Sequence, residues 1–408
     1  MPVITIFSGV FCKKKPVLEK IMEKIKYDIV TDNEIISEAS WISGMPENKI
    51  KTAFSSKVSV FNKFTHEKER ATAWIKLALA RMLSKDNLIV EGLSSQLIPK
   101  EITHVLRICI IADMKFRIMA AKEEGKSEKE AISLIHSSDK DRSSWVYDIL
   151  NTKDPWDPSL YDMIIPTDKM DLEEAVALIE SHLGSEVIKA TEQSKKAAKD
   201  FILTSEVEVA LAKEGHSVGV NAKDGAVTLS INNHVLMLSR LEDELKAIVE
   251  KVPGVTSVET KVGKKYHQAD IYRKYDFETP KVLLVDDERK FVQTLSERLM
   301  IRDMGSAVAY DGESALDMIN DDEPEVMILD LKMPGINGIE VLRKVKETRP
   351  EIEVIILTGQ GSEEDRKICM DLGAFAYLHK PVKIDFLSET LKKAKEKMEK
   401  ARELKKGQ

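Results

Sequence analysis

Unbroken apolar runs that close on a polar residue recur through the last third of the chain. Residues 282–285 run into Asp286 and Asp287, and 326–329 run into Asp330. Residues 355–357 run into Thr358, and Tyr377 and Leu378 lead to Lys380 and Pro381. Short runs without alternation predict strands buried on both faces, as in a parallel sheet. Amphipathic stretches at 289–302, 313–320, 338–347, 363–372 and 384–400 predict helices between them, and 305–310 supplies the second strand. Five strand–helix alternations predict a doubly wound sheet with right-handed crossovers.

The first part of the chain has the same grammar. Residues 3–7 predict a strand, 8–15 a loop, and Pro16 a first helical position before 17–25. Further strands are predicted at 87–91, 106–111 and 163–165, and helices at 71–83, 127–135 and 171–183. The middle of the chain differs. A helix at 201–213, strands at 218–220 and 226–231 around a turn at 223–225, a helix at 236–249 and a strand at 257–262 give the order α-β-β-α-β. Residues 192–199, polar, helix-prone and without an apolar stripe, read as a linker, and 264–278 as a second.

Composition narrows the classes. A length of 408 residues allows two or three domains, and a net charge of −7 argues against a general nucleic-acid binder. The residues after the last predicted strand do not read as a DNA-reading helical unit, so a transcription factor is not expected. No window reaches the roughly 18 apolar residues that a membrane span needs. The apolar start has its lysines after it, the wrong polarity for a signal peptide. Cys12, Cys109 and Cys369 read as reduced thiols, and no histidine pair has zinc spacing. The expected location is therefore the cytoplasm.

Parallel strands bring their carboxyl ends to one edge, where open α/β sheets bind ligands. Asp286, Asp287, Asp330, Thr358 and Lys380 should meet there although they lie far apart in sequence. Three adjacent carboxylates call for a hard cation, and an all-oxygen set suits Mg2+. The hydroxyl and ammonium suit phosphoryl oxygens, so the set can build an aspartyl-phosphate. In order and spacing, these residues, with Met333-Pro334-Gly335 and Gly338, resemble the receiver domain of bacterial response regulators, over residues 280–400. The resemblance implies a flavodoxin-like (βα)5 fold and a phosphoryl group accepted on Asp330 from a sensor histidine kinase or phosphotransfer protein. It implies Mg2+ held by Asp286, Asp287, Asp330 and the backbone carbonyl of Lys332. Thr358 and Lys380 would contact the phosphoryl oxygens, and Tyr377 would be the switch aromatic.

Strand, loop and helix at the start of the chain form a phosphate-binding candidate. Against Gly-x-x-x-x-Gly-Lys-Ser/Thr, Gly9 and Lys15 are in place, but Lys14 replaces the second glycine and Pro16 the hydroxyl. Asp139-Lys140-Asp141-Arg142 before Trp145 and Tyr147, and Asp157 to Asp162 leading to Thr167-Asp168, resemble the cytidylate kinase-like family of P-loop kinases, over residues 1–186. That resemblance implies ATP as phosphoryl donor and Arg142 as the lid arginine. It departs at the loop, at Asn33 and at Glu91-Gly92-Leu93. Two readings stay open: a nucleotide kinase in which Lys13, Lys14 and Lys15 supply the missing charge, or a kinase fold reused as a sensor or interaction domain. The second is the expectation carried forward.

The middle module, residues 196–263, resembles the small α+β BON domain, chiefly through Val252-Pro253-Gly254-Val255 and Val258. It reads as a regulatory or spacer unit. After Ile384, apolar residues at Leu387, Leu391, Ala394, Met398, Ala401 and Leu404 form a helical stripe. That stripe is either a homodimer seam or a solvated extension. Together these readings predict an α/β multidomain response regulator. The alternative is a receiver-gated nucleotide kinase.

Overall fold

A computed structural model describes the chain except residues 1, 58–61, 86, 234, 236–237, 264–265, 267–279, 301, 303, 360 and 407–408, and the side chains of 63, 64 and 401–406. Its contacts separate two units, residues 1–58 with 67–273 and residues 59–66 with 274–408. Of the second expected linker, 264–278, Tyr266 alone falls within the described residues.

In the first unit, strands β1 (Val3–Ser8), β2 (Asp28–Thr31), β3 (Leu88–Glu91), β4 (Val105–Ile111) and β5 (Met163–Pro166) form a sheet in the order β2-β3-β1-β4-β5. All its pairings are parallel. The apolar runs do not alternate because both faces are covered. Val3, Leu88 and Val90 enter one core with Ile35, Trp74 and Ile75, while Ile4, Ile6 and Ile89 enter another with Val17, Ile21 and Val176. Each such side chain contributes roughly 1.5–3 kcal/mol on burial. Helix Glu128–Leu150 is longer than the expected 127–135, carrying the Asp139–Arg142 segment and Trp145 within its second half.

The same unit contains β6 (Gly219–Lys223), β7 (Ala226–Ile231) and β8 (Ser257–Val262) in the order β6-β7-β8, the first pair antiparallel and the second parallel. The turn at Asp224 and Gly225 takes positive φ at both residues (49° and 87°), as a tight hairpin requires.

The linker expected at 192–199 is corrected. Residues Glu192–Lys213 form one continuous helix, capped by the Thr191 hydroxyl, which accepts from the Ser194 amide. Its early stripe consists of Ser194, Ala197 and Ala198, too small to register as an apolar face. Ser194 is nevertheless buried, 2.6 Å from His104 Nδ1. Further along, Phe201, Val209 and Ala212 enter the first sheet's core, while Val207 and Leu211 enter the core of the three-stranded sheet. Lys76 pairs with Glu208 at 2.6 Å on the outside of the same helix. One helix therefore serves two hydrophobic cores.

In the second unit, β9 (Val282–Val285), β10 (Ser306–Ala309), β11 (Val326–Leu329), β12 (Glu353–Thr358) and β13 (Ala376–His379) run in the order β10-β9-β11-β12-β13, all parallel. Leu283 and Val285 face one core and Val282 and Leu284 the other. Chain direction across the sheet reverses between β9 and β11, which opens a crevice at their carboxyl ends. The last helix, Ile384–Lys406, lays Leu387, Leu391 and Ala394 into the second of these cores. The stripe is thus a core face over that length and not a free dimer seam. The side chains of Ala401 and Leu404 lie outside the described residues.

Candidate functional site

The crevice gathers the residues that end the apolar runs. Asp286 follows β9, Asp330 follows β11, Thr358 ends β12, and Lys380 follows β13. Asp286, Asp287 and Asp330 each offer an oxygen, all within 4.8 Å of one another. Lys380 Nζ donates to Asp286 Oδ2 at 2.5 Å and to Asp330 Oδ2 at 3.0 Å. The Asp330 Oδ1 atom accepts from the Leu331 amide at 2.7 Å and lies 3.5 Å from the Lys332 amide. Asp286 Oδ1 accepts from the Glu288 amide at 2.9 Å. Asp286 and Asp330 are buried, whereas Asp287 is exposed, so the cluster opens to solvent on Asp287's side.

Electrostatics follow from this placement. Burial pushes the Asp286 carboxyl above its usual value, only partly offset by its bonds to Lys380 and to the Glu288 amide. Burial also pulls on Lys380, but its hydrogen bonds to Asp286 and Asp330 win and hold the ammonium above its ordinary value. One lysine thus faces three carboxylates, and the excess negative charge sits in hard oxygen ligands. This donor set fits a divalent cation such as Mg2+.

Close approaches shape the rim. A Cβ on Gly338 would lie 2.2 Å from the Asp330 carbonyl oxygen, so glycine alone lets helix Gly338–Thr348 start against that strand end. A Cβ on Gly361 would lie 1.7 Å from the Tyr377 hydroxyl and 2.9 Å from Thr358 Cγ2. Tyr377 therefore points its hydroxyl toward the Thr358 loop, where that oxygen is buried without a hydrogen-bond partner among the described residues. Thr358 is fully buried, and its carbonyl accepts from the Lys380 amide at 2.9 Å. Sequence reasoning missed one neighbour: the Phe291 ring lies beneath Lys380 Nζ, 4.4 Å from ring centre to nitrogen. Its signal was available, an aromatic in the first turn after the paired aspartates.

The first sheet has a cleft of about 600 Å³ at its carboxyl edge, lined by Ser8, Lys14, Asp32, Glu91, Asp141 and Arg142 among others. Gly9 and Lys15 do not line it. The Lys15 side chain is 84% exposed, 3.9 Å from Glu19 one turn along its own helix. Arg142 is turned inward, Nε donating to the Ser8 carbonyl at 2.6 Å and Nη1 to that of Ser138 at 3.1 Å. Arg117 donates to the Val10 carbonyl at 2.9 Å and forks onto Asp139 with two bonds of 2.8 Å. The Thr167 hydroxyl donates to the Cys12 carbonyl at 2.8 Å. The loop is thereby braced in a conformation in which Phe11 and Lys13 both take positive φ (59° and 46°). Asp32 accepts from the Leu93 and Ser94 amides at 2.8 and 2.9 Å and from the Ser94 hydroxyl at 2.6 Å. Burial raises its carboxyl pKa against these bonds.

Comparison with known proteins agrees with both sheets. Residues 282–392 match the response regulator receiver domain, and residues 3–169 match the cytidylate kinase-like family. The chain is 45% identical over 101 residues to the transcriptional regulatory protein CpxR of Escherichia coli K12, covering 25% of this chain and 43% of that protein. It is 36% identical over 107 residues to the response regulator MprA of Mycobacterium avium, covering 26% of this chain and 47% of that protein. The chain thus spans under half the length of these relatives. A receiver domain structure from Clostridium thermocellum is 33% identical, with a TM-score of 0.28, covering 29% of this chain and 96% of that one. The second unit of this chain therefore carries a response regulator receiver domain, homologous to those of two-component regulators, and the first unit carries a region that matches the cytidylate kinase-like family.

Proposed function

We propose that the chain is a two-component response regulator that accepts a phosphoryl group on Asp330. The observation that carries this reading is the lysine-bridged carboxylate cluster of Asp286, Asp287 and Asp330, with Lys380 within bonding distance of two of them. Asp286, Asp287, Asp330 and the Lys332 carbonyl would hold Mg2+, which would supply positive charge to the developing phosphoryl oxygens. A carboxylate oxygen of Asp330 forms the new bond to phosphorus. The bond from phosphorus to the donor's imidazole nitrogen breaks, and that nitrogen keeps the electron pair. The donor is a sensor histidine kinase or a phosphotransfer protein.

Lys380 then exchanges a carboxylate partner for a phosphoryl oxygen, and the Thr358 hydroxyl supplies a second contact. The added charge of about −1.5 to −2 draws both inward. Tyr377, its hydroxyl unbonded beside Thr358, follows as the switch. The signal passes to the kinase-like region and to the middle module, whose α-β-β-α-β order is BON-like. Both act in the cytoplasm as sensing or contact surfaces. Incubating the full chain with acetyl phosphate and Mg2+ tests the reading. The wild type gains a phosphoryl group and Asp330→Asn does not; equal labelling of both proteins defeats it.

A further inference from the structure

The cytidylate kinase-like region raises the question of what its braced loop binds. Three consecutive lysines, Lys13, Lys14 and Lys15, begin the helix that follows the loop. Each already has a carboxylate of the chain itself. Lys13 meets Glu123 at 2.8 Å, Lys14 pairs with Glu91, and Lys15 faces Glu19. The outer two pairs are exposed and worth little. The middle one differs, because the Glu91 side chain is only 14% exposed and both partners line the cleft.

Glu91 ends β3, directly beside β1 (Ile6 lies opposite it), so its carboxylate stands at the sheet edge next to the loop. Three acidic and three basic side chains line the cleft: Asp32, Glu91, Asp141, Lys14, Lys51 and Arg142. Two of the acids are committed to the backbone. Asp32 holds the Leu93 and Ser94 amides, and Asp141 holds the Ser56 amide at 2.7 Å. The Arg142 bonds described above go to the loop floor and to its own helix. Of the three bases, Lys14 is the one that opens the helix following the loop, and Glu91 holds it.

These residues do not fit a nucleoside triphosphate. The loop carbonyls are braced by arginines and a threonine, Lys15 points away, and an anion already sits on Lys14. We propose that Glu91 is a resident anion that stands in for a phosphate, so that the cleft rejects phosphorylated ligands until this ion pair opens. A bound phosphate would have to displace Glu91 and leave a largely buried carboxylate without its cation.

Calorimetric titration of the full chain with inorganic pyrophosphate, without Mg2+, tests this. Glu91→Gln keeps the shape and removes the charge. Glu91→Ala, which removes the polar head of the side chain altogether, is read alongside it, with an unfolding curve for each to establish folding. At least one folded variant should bind pyrophosphate about tenfold tighter than the wild type, the scale of one freed charge-assisted contact. The gain should disappear when Lys14→Gln is added. Variants that bind no tighter than the wild type, or a gain that survives without Lys14, overturn the proposal. Neither outcome depends on phosphorylation at Asp330.

Discussion

Two parallel sheets in this chain each present a lysine to a carboxylate at their carboxyl edge, and the balance of charge around that pair separates them. At the receiver edge, Lys380 faces Asp286, Asp287 and Asp330, so negative charge remains after the lysine is counted. At the first sheet, Lys14 faces Glu91, and the remaining acids and bases of the cleft are matched in number. On the proposed reading, the same architecture prepares one edge for a cation and a phosphoryl group and leaves the other matched in charge and self-paired. Fold places the groups; the count of charges at the edge decides the chemistry.

The comparison can be broken most sharply at the receiver's exposed acid. Asp287→Asn removes one of the three proposed carboxylate ligands and should weaken Mg2+ binding and acetyl-phosphate labelling by about 10- to 100-fold. Chelating the metal from the wild type should do the same or more. An unchanged labelling rate at fixed Mg2+ would mean that charge excess is not what the site uses.

The neutral edge should respond in stability instead. Asp32→Ala strands the Leu93 and Ser94 donors and should cost about 1–3 kcal/mol in urea unfolding. Gly92→Ala should cost about as much, because Gly92 sits at φ 131° and a Cβ would lie 2.3 Å from the Asp32 carboxylate. Phosphorylation at Asp330 should be unchanged in both variants.

A pH series gives a third contrast. Burial holds the folded-state pKa of Asp286 above its unfolded value. Its contribution to stability is therefore fully present below the unfolded pKa and is lost as pH rises through the folded pKa. At neutral pH the ionised group is a cost, which cation binding relieves. Mg2+ should accordingly raise the receiver's unfolding midpoint at neutral pH and lose that effect as Asp286 protonates in the acid range. Lys380 has a raised folded pKa too, so its contribution persists through neutral pH and is lost only on the alkaline side. A midpoint that is insensitive to Mg2+ at neutral pH would contradict this ordering.

The smallest expected effect is at Phe291. Replacing the ring by leucine keeps the apolar volume and removes the face under Lys380, worth about 0.5–1 kcal/mol. Labelling should slow by a few-fold in Phe291→Leu and be restored in Phe291→Tyr.

Much of this was legible in the sequence because parallel strands write themselves as unbroken apolar runs. Asp286, Asp330, Thr358 and Lys380 could be placed at one edge from the residues that end those runs, and the observed strand order brings them there. Glu91 ends a run in the same way, yet a motif template drew attention to Lys15, which the helix turns toward Glu19. Lys14, one residue earlier, is the lysine of this run that reaches the cleft. A one-residue step on a helix rotates a side chain by about 100°, so template matching cannot choose between neighbours. That the helix-prone stretch 192–199 packs against a core, and is not a linker, was hidden for another reason. Ser194, Ala197 and Ala198 carry little hydrophobic signal, and their burial follows from the close approach of a neighbouring core that local patterning does not contain.

The account is tested most directly by the mass of the intact chain after treatment with phosphoramidate and Mg2+, followed by mapping of the modified peptide. It predicts one added phosphoryl group, located on Asp330 and absent when Mg2+ is chelated. A group located on any other residue, or no gain in mass under either condition, would contradict it.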